Sequence, residues 1–119
     1  MSEHRKEERR KAMIFTPVYD KAANVLMGYL GDLTLQGALM VSEKPVEISK
    51  NFTLAIEFRL ASGAPTKRIT IPARAAWCKR EQDKTYYNTG FEFLEMTEMN
   101  KKVIEAVLER YQFVHEIPA

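Results

Sequence analysis

Phe52-Thr53-Leu54-Ala55-Ile56-Glu57-Phe58-Arg59 is the stretch on which the reading of the fold turns. Phe52, Leu54, Ile56 and Phe58 alternate with Thr53, Ala55, Glu57 and Arg59, so an extended chain carries its four large apolar side chains on one side. Such a strand belongs to a sheet with one buried and one solvated face.

Strand signals continue in both directions. Downstream, Ala61-Ser62-Gly63-Ala64-Pro65-Thr66 is a turn into a long strand from Lys67 to Lys79, with Ile69, Ile71, Ala73, Ala75 and Trp77 predicted on one face. Pro72 lacks an N–H, so the strand should bend or lie at an edge there. After the polar turn Glu81-Gln82-Asp83-Lys84, residues Tyr86 to Leu94 form a last strand, interrupted at Gly90. Upstream, Ile14 to Tyr19 reads as a first strand, Asp20 to Asn24 as a hairpin turn and Val25 to Leu33 as a second strand. Gly28 and Gly31 point to bulges or close approach. Gly37 to Ser42 makes a third strand, and Glu43 to Asn51 is a polar connection broken by Pro45. Six strands are expected.

The chain's end changes period. Met99, Val103, Ile104, Val107, Leu108 and Tyr111 recur at three- and four-residue spacing, which draws an apolar stripe on a helix from about residue 97 to 112, with Thr97 as its N-cap. The expected fold class is mainly β: a six-stranded antiparallel barrel covered by a C-terminal helix.

Composition limits the function classes. The 119 residues suit one domain, and 45% apolar with 29% charged residues is the balance of a chain that folds alone. No apolar run approaches the ~18 residues of a membrane-spanning helix, and the first ten residues are too charged for a signal peptide, which predicts a cytoplasmic protein. The lone Cys78 excludes an internal disulfide. Only His4 and His115 are available as histidines, neither beside a partner ligand or nucleophile motif, and no phosphate loop or nucleophile elbow occurs. Asp32, Glu57 and Glu92 are single carboxylates in strands, of the kind that face solvent or satisfy a local hydrogen bond. A binding module with no enzymatic activity, cofactor or metal is expected.

The net charge of +2 is too small for general nucleic-acid binding, but its distribution is uneven. Residues 4 to 11 read His-Arg-Lys-Glu-Glu-Arg-Arg-Lys, with five positive and two negative charges. Residues 1–11 are therefore taken as a flexible basic arm, and 12–119 as the barrel domain with its helix. Within the arm, Arg5 and Arg9 form Arg-x-x-x-Arg, followed by Arg10 and Lys11. Asp32-Leu33-Thr34-Leu35-Gln36-Gly37 has the form Asp-x-Thr-x-x-Gly between two strands.

In order and placement these two segments resemble the pattern of the PilZ family: Arg-x-x-x-Arg before the first strand, then Asp or Asn, x, Ser, x, x, Gly at a strand junction. The likeness extends over nearly the whole chain, through the strand after Gly37, the Trp77 strand, the Gly90 strand and the closing helix. It implies a bacterial second-messenger receptor whose arm closes over cyclic di-GMP against the barrel. The implied ligand-binding residues are Arg5, Arg9, Arg10, Asp32, Thr34 and Gly37, and the implied partner is a downstream protein in motility, adhesion or polysaccharide pathways. Arginine suits this ligand because its planar donor fork matches either a phosphate or the O6/N7 edge of guanine.

Two departures bear on the site. Thr34 stands where the family usually has serine, adding a methyl group. The second arginine in family members often lies nearer the first strand than Arg9 does, so Arg5 with Arg9, or Arg10 with Lys6, remain alternative pairs. The same residues also have local readings: Asp32 and Thr34 as caps of the turn, and the basic run as a solvated helical face. Two other functions compete. One is a degenerate PilZ-like adaptor using protein contacts around Tyr111 and Phe113 without nucleotide. The other is an RNA-binding barrel, disfavoured by the shortage of aromatics interleaved with basic residues.

Overall fold

The computed structural model describes residues 16–59, 66–82 and 84–110. Six strands, β1 (Pro17–Asp20), β2 (Val25–Leu33), β3 (Gly37–Ser42), β4 (Asn51–Arg59), β5 (Thr66–Arg80) and β6 (Tyr87–Phe93), precede one helix, α1 (Glu98–Arg110). The strands pair antiparallel throughout and close into a barrel in the order β1-β2-β3-β6-β5-β4. The mainly β class, the six strands and the helix are as the sequence predicts.

Closure follows from the alternating pattern, because one apolar face per strand must be hidden and a closed sheet hides all six while leaving no edge. Val18, Leu30, Leu33, Met40, Leu54, Ile56, Phe58, Ile69, Ile71, Ala73, Ala75 and Phe91 fill the interior. Ile104 and Val107 of α1 are fully buried in the same cluster. Phe52 meets Phe91 edge to face, with ring centroids 5.8 Å apart and planes at 87°.

Local chemistry sets the ends of the elements. The β1–β2 hairpin is held by the Asp20 carboxylate, which accepts from Ala22 N and Ala23 N, while Asn24 takes a φ of 57° and donates its N–H to Asp20 O at 2.7 Å. Thr97 caps α1 as expected: its hydroxyl accepts from Asn100 N at 3.1 Å, and its carbonyl starts the helical ladder at Lys101. Asn100 also ties α1 to the barrel by donating from Nδ2 to Thr70 O at 2.9 Å.

Several sequence expectations are corrected. β1 begins at Pro17 and includes Asp20; Ile14 and Phe15 lie outside the described residues, as do Tyr111 and Phe113. Met99 does not join the helix's buried stripe and is 73% exposed. Pro72 sits where it costs no ladder bond. Its carbonyl accepts from Leu94 N, just past the end of β6, and its N, which faces the same side, has no strand opposite it.

Trp77 is the instructive correction. Ile69, Ile71, Ala73 and Ala75 are buried as predicted, but Trp77 is 39% exposed. The β5–β6 register passes from Ala75↔Phe91 to Trp77↔Gly90, leaving Ala76 as an extra residue. This bulge reverses the side-chain direction, so Trp77 points outward although its spacing puts it in the inward series. A matching bulge in β2, with Gly31 the extra residue between Leu30↔Met40 and Asp32↔Leu39, turns Asp32 outward while Leu30 and Leu33 stay buried.

Candidate functional site

The two bulges bring outward-facing side chains of four strands into register. Asp32 of β2 lies beside Leu39 of β3, Leu39 beside Gly90 of β6, and Gly90 beside Trp77 of β5. A second row, two residues along β3 and β6, places Gly37 beside Glu92 and Glu92 beside Arg74. Between these rows runs a groove of about 380 Å³, lined by residues 32–34, 36–39, 76, 77 and 90–92. It is mostly apolar with carboxylates at Asp32 and Glu92, the kind of lining that small-molecule sites have.

Glycine makes the groove possible in both rows. A Cβ on Gly90 would collide with the Trp77 indole, including its Nε1, so the ring lies directly over the glycine backbone. A Cβ on Gly37 would strike the Phe91 carbonyl oxygen, so β3 and β6 could not approach as they do with any larger residue. Beside the indole, Leu39 is buried although it points away from the barrel interior.

The turn from Asp32 to Gly37 organises one wall. The Thr34 hydroxyl accepts from Gln36 N and Gly37 N, both at 3.1 Å, and lies 3.4 Å from Gly37 O. Thr34 N donates to Gly37 O at 2.9 Å, and Phe93 N donates to Gln36 O at 2.8 Å, which ties the turn to β6. The threonine thus spends its hydrogen-bonding capacity on the turn. Asp32 Oδ1 accepts from Leu33 N at 2.8 Å, while Oδ2 has no partner among the described residues. Across the groove, Arg74 Nη1 donates to Glu92 Oε1 at 3.1 Å, an exposed ion pair.

A turn of the form Asp-x-Thr-x-x-Gly on the outer wall of a six-stranded barrel is what the sequence resemblance requires, and comparison with family models agrees. The PilZ domain model matches residues 3–110. The chain belongs to the PilZ domain family. Neither a curated protein nor a solved structure matches the chain in the parallel comparisons. PilZ is a family of cyclic di-GMP-binding receptor domains, and its members are not enzymes. Among the described residues of this PilZ domain, no three His, Cys, Asp or Glu side chains gather as metal ligands, and no helix is long and apolar enough to cross a membrane.

Of the residues singled out from the sequence, the PilZ barrel brings Asp32, Thr34 and Gly37 together along one groove. Arg5, Arg9 and Arg10 lie outside the described residues. Leu39, Trp77, Gly90 and Glu92 complete the groove but were not read as site residues. The available signal was Gly90 interrupting a strand opposite a strand with a tryptophan. Its meaning depends on the β5–β6 register, which the Ala76 bulge conceals.

Proposed function

We propose that this PilZ domain is a cyclic di-GMP receptor in which the basic arm closes over ligand held in the groove of β2, β3, β6 and β5. The observation that carries the reading is the outward row Asp32, Leu39, Gly90 and Trp77, flanked by the Thr34 turn. The exposed part of the indole offers a guanine an apolar face on which to stack. Asp32 Oδ2 is available to accept from a guanine N–H edge. The Thr34 hydroxyl acts through the turn, holding the Gln36 and Gly37 amides in place.

The groove itself supplies carboxylates, and a ligand with two phosphates needs cations. These are concentrated in the arm. Thr16 O accepts from Leu30 N at 2.8 Å, one step before the Pro17↔Tyr29 pair, which sets Thr16 beside β2 two residues from Asp32. Arg10 is six residues ahead of Thr16 and Arg5 eleven, so they reach at most about 22 Å and about 40 Å from it. Both distances suffice to lay guanidinium groups across the groove.

Titration calorimetry with cyclic di-GMP tests the reading. The full chain should bind, and Arg9→Ala with Arg10→Ala should abolish or greatly weaken the signal. A silent titration at high protein concentration, or binding indifferent to that double substitution, would exclude the proposed site. The adaptor reading has one observation in its favour: Thr34 carries an extra methyl and has a hydroxyl engaged in the turn. It predicts a silent titration together with a co-purifying protein partner.

A further inference from the structure

Among the described residues, Glu92 is the one charged side chain lining the groove besides Asp32, and the receptor reading gives it no task. A carboxylate beside a ligand that carries two phosphates is unfavourable unless it faces something that donates hydrogen bonds. Its position is set by two registers: Glu92 is the cross-strand neighbour of Gly37, the last residue of the Asp-x-Thr-x-x-Gly turn, and of Arg74 on the other side. Gly37 puts no side chain beside Glu92, and the two residues line the same groove. The Arg74 guanidinium holds one carboxylate oxygen, Oε1, at 3.1 Å, and Oε2 has no partner among the described residues.

We propose that Glu92 is a base-reading residue of the groove, accepting hydrogen bonds from the N1–H and N2 amine of a guanine and so selecting guanine over adenine. The proposal rests on the receptor reading above. A guanine offers adjacent donors along this edge, which a carboxylate matches with its two acceptor oxygens, whereas adenine has an acceptor at N1 and no amine at C2. Asp32 and Glu92 lie in different rows of the groove, Asp32 in the row of Trp77 and Glu92 in the row of Gly37. Two carboxylates so separated suit a ligand with two guanines. Arg74 is a positioning residue: it orients the carboxylate and offsets its charge while the phosphates are nearby.

Affinities of the full chain for cyclic di-GMP and cyclic di-AMP, measured with Glu92→Gln and with Glu57→Gln, provide the test. Glu57 belongs to a second exposed cross-strand ion pair, with Arg68 at 2.9 Å, and does not line the groove. Glu92→Gln should weaken cyclic di-GMP binding by about tenfold or more and shrink the preference over cyclic di-AMP, because an NH2 donor replaces one of the two acceptor oxygens and faces a guanine donor. Glu57→Gln should change neither. Matching circular dichroism of the two variants excludes misfolding. Tighter binding of cyclic di-GMP by Glu92→Gln would mean a carboxylate that merely repels phosphate and would overturn the proposal, as would an unchanged affinity or an unchanged preference. Loss of both ligands by the unsubstituted chain would instead overturn the receptor reading, and this assignment with it.

Discussion

At Gly90 and Thr34 the groove depends on a few atoms. The Trp77 indole rests where a Gly90 side chain would be, with Cζ2 only 2.8 Å from an ideal Cβ and other ring atoms nearer. Gly90→Val must therefore expel the ring or push β5 from β6. A loss of about 1–3 kcal/mol of stability, of the size of other overpacking substitutions, should appear in denaturant unfolding. Because Trp77 is the chain's one tryptophan, its emission in the same samples should shift to longer wavelength as the ring enters water. At Thr34 the hydroxyl, not the methyl, makes the turn's hydrogen bonds. Thr34→Ser should keep the unfolding midpoint unchanged, whereas Thr34→Val should cost about 0.5–1.5 kcal/mol and weaken cyclic di-GMP binding through the loosened Gln36–Gly37 segment. Equal ligand affinities in the serine and valine variants would show that the turn does not support the site.

Among the elements, α1 is the clearest case of local sequence and tertiary packing pointing the same way. Its cap at Thr97 satisfies the Asn100 amide, and its Ile104 and Val107 enter the barrel's own cluster. Thr97→Ala should cost about 1 kcal/mol and lower the melting temperature by a few degrees. Ile104→Ala, which empties a fully buried site, should cost about 2–5 kcal/mol. A smaller loss for Ile104 than for Thr97 would mean that the helix is not integral to the core. These features were legible in the sequence because capping and the helical period are local. The same is true of β4, where Leu54, Ile56 and Phe58 are all buried as their alternation implies. Trp77 was misplaced because periodicity assumes an unbroken pleat, and nothing local to Ala76 announces the extra residue. The site was legible only in part for the same reason. Asp32, Thr34 and Gly37 sit within six residues and form a local turn, whereas Leu39, Gly90, Glu92 and Trp77 become neighbours only through pairings between strands far apart in the chain.

For the whole molecule, the receptor reading implies a separation between what folds and what binds. Among the described residues, the interior cluster from Val18 to Val107 draws on all six strands and on α1. Among the described residues, the groove has no lining cation, and the adjoining Arg74 guanidinium is engaged by Glu92. On the receptor reading the arm serves the ligand and not the core, so removing residues 1–10 should leave the unfolding midpoint without ligand within about 0.5 kcal/mol of the full chain. Ligand should then discriminate the two proteins. At a cyclic di-GMP concentration of about 100 times Kd, mass action should stabilise the full chain by about 2.7 kcal/mol, and the shortened chain should gain little or nothing. Trp77 provides an independent readout, since a base stacked on the indole should alter its emission in the full chain at the concentrations that raise its melting temperature. If the shortened chain were stabilised as strongly, the arginines would not contribute to binding and the phosphates would have to be held by the barrel. If instead it were destabilised in the absence of ligand, the arm would be a structural part of the barrel, and arm closure would no longer describe how the receptor works.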